Sequence, residues 1–142
     1  MFDHERLDVY RLSLDFLVFA GRVCKRFPRG NRYLNDQLLR ASTSIVLNLA
    51  EGTGKHSRPD KRRFYITARG SATECAALLD IYARLNLVVP GDHKQGKHML
   101  VRIVSMLIKL AQRTEEARPA SLPGTADPDG APSEASPSPS SS

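Results

Sequence analysis

The residues of this chain that could do chemistry have spacings that speak against a reaction. Its four histidines, His4, His56, His93 and His98, include no HExxH pair and no cysteine partner at zinc spacing. His93 and His98 are five positions apart, which suits one helix face poorly. No metal site is expected. Cys24 and Cys75 lack a spacing motif and read as packed, reduced thiols rather than as a disulfide. The run Gly52-Thr53-Gly54-Lys55-His56-Ser57 invites comparison with a phosphate loop. That loop needs a glycine five residues before its Gly-Lys pair and Ser or Thr directly after it. Those positions hold Leu49 and His56, so a helix C-cap and turn is the expected role. No local motif points to a Ser-His-Asp or Cys-His set. No enzymatic activity, cofactor or small-molecule substrate is expected.

A second group is polar but patterned. Gln37, Ala41, Ser44, Asn48 and Glu51 recur every three or four residues, as do Thr67, Gly70, Ser71 and Glu74. Residues at that spacing share one helix face. Two helices thus carry matching stripes of small and hydrogen-bonding side chains. With a turn near residues 55–57, antiparallel pairing brings Ser44 toward Ala68 and Arg40 toward Ser71 and Glu74. An Arg40–Glu74 ion pair, a cross-hairpin bond from Asn48 and a contact of Glu51 with Arg62 or Arg63 are expected. Buried polar groups need partners and thereby fix helix register, so Arg40, Ser44, Asn48, Glu51 and Glu74 read as a structural polar network. A small polar site between helices is the alternative.

The third group is basic. Lys55, Arg58, Lys61, Arg62 and Arg63 place five positive charges within nine residues, offset only by Asp60. Arg22, Lys25, Arg26, Arg29 and Arg32 crowd the end of the first helix and the loop after it. Positive charge at a helix C-terminus is locally stabilising, which accounts for two or three of these five. Residues 1–118 carry all 21 Lys and Arg but only 12 of the 15 acidic residues, a net charge of +9. A compact basic domain attracts polyanions. Solvated surface charge that maintains solubility is the plainer reading. With no Trp, four Tyr and five Phe, the chain is poor in aromatic rings, which is common in helical bundles and argues against base-stacking platforms.

The elements that must position these groups are helices. Helix one is expected from Asp8, as N-cap, to Phe27, with Val9, Leu12, Phe16, Phe19, Ala20, Val23 and Phe27 as its apolar stripe and Pro28 and Gly30 ending it. Helix two is expected over 33–53, and helix three from Pro59 to about Asn86. Helix four is expected from Asp92, as N-cap, to about Ala117. Short connections imply an antiparallel up-down-up-down four-helix bundle, all-α, over residues 1–118. In that topology helix one ends at the pole opposite the 55–63 loop. Residues 119–142 hold six Pro, seven Ser, no Lys or Arg, and Leu122 as the one large apolar residue. Such a segment cannot bury enough surface to offset its ordering entropy and is expected to be a disordered tail. The N-terminus lacks a basic region followed by an apolar run, and no stretch is apolar enough to span a membrane. A cytoplasmic protein is expected.

Two helices carry more apolar surface than a bundle helix needs. Between Met99 and Ala111 only Arg102, Ser105 and Lys109 are polar. Leu39, Val46 and Leu47 point away from the Ala41–Ser44–Asn48 stripe. A helix apolar nearly all round must be buried nearly all round, and one small bundle cannot do that for two of its helices. A homo-oligomer is the expectation.

The run from Gln37 to Gly52, QLLRASTSIVLNLAEG, resembles the signature of the four-helix bundle proteins related to the 23S ribosomal RNA intervening-sequence proteins. Phe64, Ala68, Gly70, Ser71 and Glu74 resemble its second block, and Leu7-Asp8-Val9-Tyr10 is similar to its usual first-helix start. The resemblance covers roughly residues 5–115. It implies a cytosolic homopentamer of antiparallel four-helix bundles. It also implies a distant kinship with the accessory protein of diversity-generating retroelements, a pentamer that works with a reverse transcriptase and nucleic acid. It supplies no catalytic residues. The combined expectation is a non-enzymatic, basic, oligomeric protein that associates with RNA or DNA backbone. Lys55, Arg58, Lys61, Arg62 and Arg63 are the first candidates for phosphate contact, and Arg22, Lys25, Arg26 and Arg29 the second. A protein-protein assembly scaffold is the alternative.

Overall fold

The computed structural model describes residues 2–26 and 31–116. The expected tail, Phe27, Pro28, Arg29 and Gly30 lie outside the described residues. Four helices follow one another: α1 (Phe2–Arg26), α2 (Arg32–Thr53), α3 (Arg58–Arg84) and α4 (Pro90–Glu116). No strand occurs among the described residues.

Their boundaries follow local chemistry, with three departures from expectation. α1 starts six residues before Asp8. Nothing between Phe2 and Asp8 breaks a helix, and Glu5 in this early stretch complements the positive end of the helix dipole. Its Oε2 also accepts a bond from Arg113 on α4 at 2.7 Å, which ties the extension down. α4 starts at Pro90 rather than after Asp92, since proline's fixed φ suits the first helical position. The His93 N–H already donates to the Val89 carbonyl at 2.9 Å, leaving Asp92 inside the first turn. Elsewhere the expected punctuation holds. The Gly54 N–H donates to Ala50 and Glu51 carbonyls and closes α2. Ser57 caps α3, its Oγ accepting from the Asp60 N–H at 3.1 Å, with Pro59 in the first turn. α3 ends at Arg84, two residues short of the expected Asn86, which lies just beyond it in the left-handed region (φ 59°), and the Leu87 N–H reaches back to the Tyr82 carbonyl at 2.8 Å.

α1 packs on α2 and α4, and α3 packs on α2 and α4. The diagonal pairs keep their Cα atoms more than 8 Å apart among the described residues. Neighbours run antiparallel. Asn35 at the start of α2 donates to the Cys24 carbonyl near the end of α1 and accepts from Tyr82 near the end of α3. Asp80 near the end of α3 meets His93 and Lys97 at the start of α4.

The core is the meeting of four apolar stripes: Val9, Phe16 and Phe19 from α1; Leu38, Ile45 and Leu49 from α2; Tyr65, Leu79 and Tyr82 from α3; Leu100, Ile103, Leu107 and Leu110 from α4. Burying each such side chain contributes roughly 1.5–3 kcal/mol. Two glycines set how closely the helices approach. A Cβ on Gly96 would lie 2.6 Å from both the Phe19 ring and Leu79 Cδ1, and one on Gly52 would lie 3.0 Å from the Tyr65 ring. Both cysteines are free and buried, on the diagonal helices α1 and α3. Val46, expected to face outward, is buried within the subunit, whereas Leu47 (57% exposed) and Val101 (62%) remain open to solvent.

Candidate nucleic-acid interface

The polar stripes of α2 and α3 do meet, one helical turn out of the expected register. Ser44 Oγ lies 2.8 Å from Ser71 Oγ rather than beside Ala68. The turn lies between Thr53 and Arg58, where it was expected; the offset comes with the close seat of Gly52 against Phe64 and Tyr65. Asn48 bonds within its own helix, its Nδ2 donating to the Ser44 carbonyl at 2.8 Å and to Ser44 Oγ at 3.0 Å, instead of crossing the hairpin. Arg40 and Glu74 are both exposed, and the expected ion pair between them does not form. Glu51 is exposed and sits 3.7 Å from Lys55. The network is therefore Ser44, Asn48 and Ser71, a small half-buried knot. Ser71 was named in the stripe but not in the expected network. With Glu51 and Glu74 on the surface, the cluster encloses no paired carboxylates.

The antiparallel order puts the two basic groups at opposite ends of the bundle, as expected. At the first end, α2 ends and α3 begins. Lys55 lies 5.3 Å from the Phe64 ring centroid, and the Arg63 guanidinium lies 4.9 Å from it on the same side chain. Arg63 also holds Asp60 at 3.2 Å, and this bond lowers the Asp60 pKa from its ordinary value. Arg58, Lys61 and Arg62 are half-buried. The same end receives the start of α1 and the finish of α4. Within two turns of the helix ends, Lys55, Arg58, Lys61, Arg62, Arg63, Arg6, Lys109 and Arg113 gather there against Glu5, Asp8, Glu51 and Asp60.

The second end is basic as well. α1 finishes there with Arg22, Lys25 and Arg26, all exposed; Arg22 lies 5.6 Å from the Phe19 ring centroid. The fold adds Arg32 from α2, Arg84 from α3, and Lys94 and Lys97 from α4, against only Asp36, Asp80 and Asp92. Asp80 accepts from Lys97 Nζ at 2.6 Å and bonds His93 Nε2 at 2.9 Å. The Lys97 bond, then the His93 bond, lower its pKa from the ordinary carboxylate value. Arg84, Lys94 and Lys97 were missed because each stands far from Arg22 in sequence; the signal was the up-down topology itself, carried through to the ends of α3 and α4. Of the sequence candidates, Arg29 lies outside the described residues. Among the described side chains, the two ends carry a similar positive surplus.

No three His, Cys, Asp or Glu converge as a metal site among the described residues. Among those residues, no helix is long and apolar enough to cross a membrane.

Comparison with known proteins agrees with this architecture. The chain is similar to a crystal structure described as a protein of unknown function from the S23 ribosomal protein family of Bacteroides thetaiotaomicron. The TM-score is 0.71 and the identity 23%, over 76% of this chain and 98% of that one. At this identity the likeness speaks for the fold alone. No curated protein matches the chain significantly. The family model described as 23S rRNA-intervening sequence protein matches residues 5–109, which takes in all but the first three residues of α1, the whole α2–α3 hairpin and most of α4. By that match, and by the helical order that agrees with it, the chain belongs to the 23S rRNA-intervening sequence protein family.

Proposed function

We propose that this protein is a non-enzymatic, homo-oligomeric bundle that binds the phosphate backbone of RNA or DNA through its basic ends. The observation that carries the reading is the convergence of Arg22, Lys25, Arg26, Arg32, Arg84, Lys94 and Lys97 from four helices on one end of the subunit. Phosphate contacts of this kind position a polyanion without reading its sequence, and they release counterions. The family's description, 23S rRNA-intervening sequence protein, is consistent with such a partner. Assembly multiplies the effect, since symmetry turns one basic end into a ring. A pentamer is the assembly that the family resemblance implies, and the exposed apolar residues Val18, Leu47 and Val101 supply surface for it.

The test is a salt titration of fluorescently labelled RNA and DNA. Affinity should fall linearly on a log-log plot, and Arg26→Gln with Arg32→Gln should reduce the slope by about one per lost phosphate contact. Absence of binding at low salt would end this reading. The scaffold alternative rests on the same exposed apolar residues: it expects an oligomer whose assembly persists and whose nucleic-acid affinity is nil.

A further inference from the structure

Of the four tyrosines, Tyr65 and Tyr82 are buried in the core and Tyr10 packs against it, whereas Tyr33 is 73% exposed. Tyr33 stands in the first turn of α2, directly after Arg32. Its Oη accepts a hydrogen bond from Gln37 Nε2 at 3.0 Å, one turn on, which fixes one edge of the ring and leaves most of it in solvent. The neighbouring backbone is held firmly: Tyr82 Oη donates to Asn35 Oδ1 at 2.6 Å and Asn35 Nδ2 to the Cys24 carbonyl at 3.3 Å. Those bonds draw the ends of α1 and α3 to the start of α2. Lys25, Arg26 and Arg84 therefore gather on the end of the bundle where Tyr33 stands.

We infer that Tyr33 is a base-stacking residue and that the ligand of this end is single-stranded nucleic acid rather than duplex. The inference rests on the phosphate-binding reading above and deepens it. Phosphates alone do not distinguish single strand from duplex in this way. An anchored, solvent-facing ring among cations does, because an unpaired base offers its face to the ring while a paired base is already stacked on its neighbours. One ring per subunit is not a platform, but a symmetric ring of subunits presents one at each repeat along a strand.

The test uses the full chain with fluorescein-labelled uridine and thymidine strands of about 15 nucleotides and a duplex of equal length, followed by anisotropy. Tyr33→Ala should weaken single-strand binding about tenfold with its salt slope unchanged, and leave duplex binding as it was. Tyr33→Phe should bind as the parent does. Photocrosslinking of 4-thiouridine RNA should map to Tyr33, a readout that a merely structural role would not give. Two results overturn the inference while leaving the phosphate reading intact: equal single-strand affinity for Tyr33→Ala and the parent, or an equal loss on duplex. If the parent binds none of the probes at low salt, both readings fall together. A change in oligomer size on Tyr33→Ala, with affinity unmoved, assigns the ring to a subunit contact and also overturns it.

Discussion

At the residue scale, burial decides the chemistry of the two thiols. Desolvation raises the Cys75 pKa to about 12, with Glu74 adding to the effect. Desolvation likewise raises Cys24, opposed by its contact with Tyr82. The thiolate is the reactive form, so both thiols should be inert to iodoacetamide at pH 8 in the folded protein and should react once denaturant exposes them. Rapid labelling of the folded chain would contradict their placement. The sign of the pH effect follows. A group whose pKa is higher folded than unfolded stabilises the fold below the unfolded value and loses that contribution as pH climbs. For Cys75 the loss runs from about pH 9, its ordinary value, to about 12. Burial raises Tyr82 too, in the same direction. Denaturant midpoints should therefore decline across that alkaline window, and Cys75→Ala should flatten part of the decline.

At the scale of elements, glycines mark where helices touch and where they do not. Gly96 of α4 admits no Cβ without displacing Phe19 or Leu79, whereas a Cβ on Gly70 of α3 meets nothing in the subunit. Overpacking a core costs about 1–3 kcal/mol, and Ala favours a helix interior over Gly by about 1 kcal/mol. Gly96→Ala should therefore lower Tm by several degrees and Gly70→Ala should raise it slightly, both read by thermal circular dichroism. A fall for Gly70→Ala would place another copy of the chain against that face of α3. The α2–α3 hairpin shows how far element-level reading reaches. Its two stripes were legible because a three-to-four spacing is a property of one helix. Their register was not, because a three-residue shift depends on how the two helix surfaces seat on each other, and the close approach of Gly52 to Phe64 and Tyr65 exists only once both helices are in place.

At the scale of the molecule, the apolar surplus expected on α2 and α4 is present at Leu47 and Val101, and α1 adds Leu7, Leu14 and Val18. The last three recur at spacings of seven and four, so they form one outward stripe of α1 that was not anticipated. If copies associate through such surfaces, a charge there should separate them. Val101→Glu and Leu47→Glu, each exposed in the subunit, should leave helicity unchanged and shift the mass measured by light scattering toward the monomer. A parent protein that is itself monomeric would sink the oligomer proposal outright.

The sequence by itself determined the helices, their order, their inward faces and the family. Each of these rests on short-range spacing: six of the seven residues of the α1 stripe prove buried, and Phe27 lies outside the described residues. Only the tertiary structure decided which charges share an end. Glu5 and Asp8 arrive at the end that holds the Lys55–Arg63 run because α1 packs antiparallel to α2 and α4, and Arg84 and Lys94 join Arg22 because α3 ends and α4 begins where α1 finishes. It also decided that Tyr33 stays open while Tyr65 and Tyr82 are enclosed. The physical reason is range: helix formation and amphipathicity are written within a few residues, whereas electrostatic potential and exposure are sums over neighbours that only folding brings together.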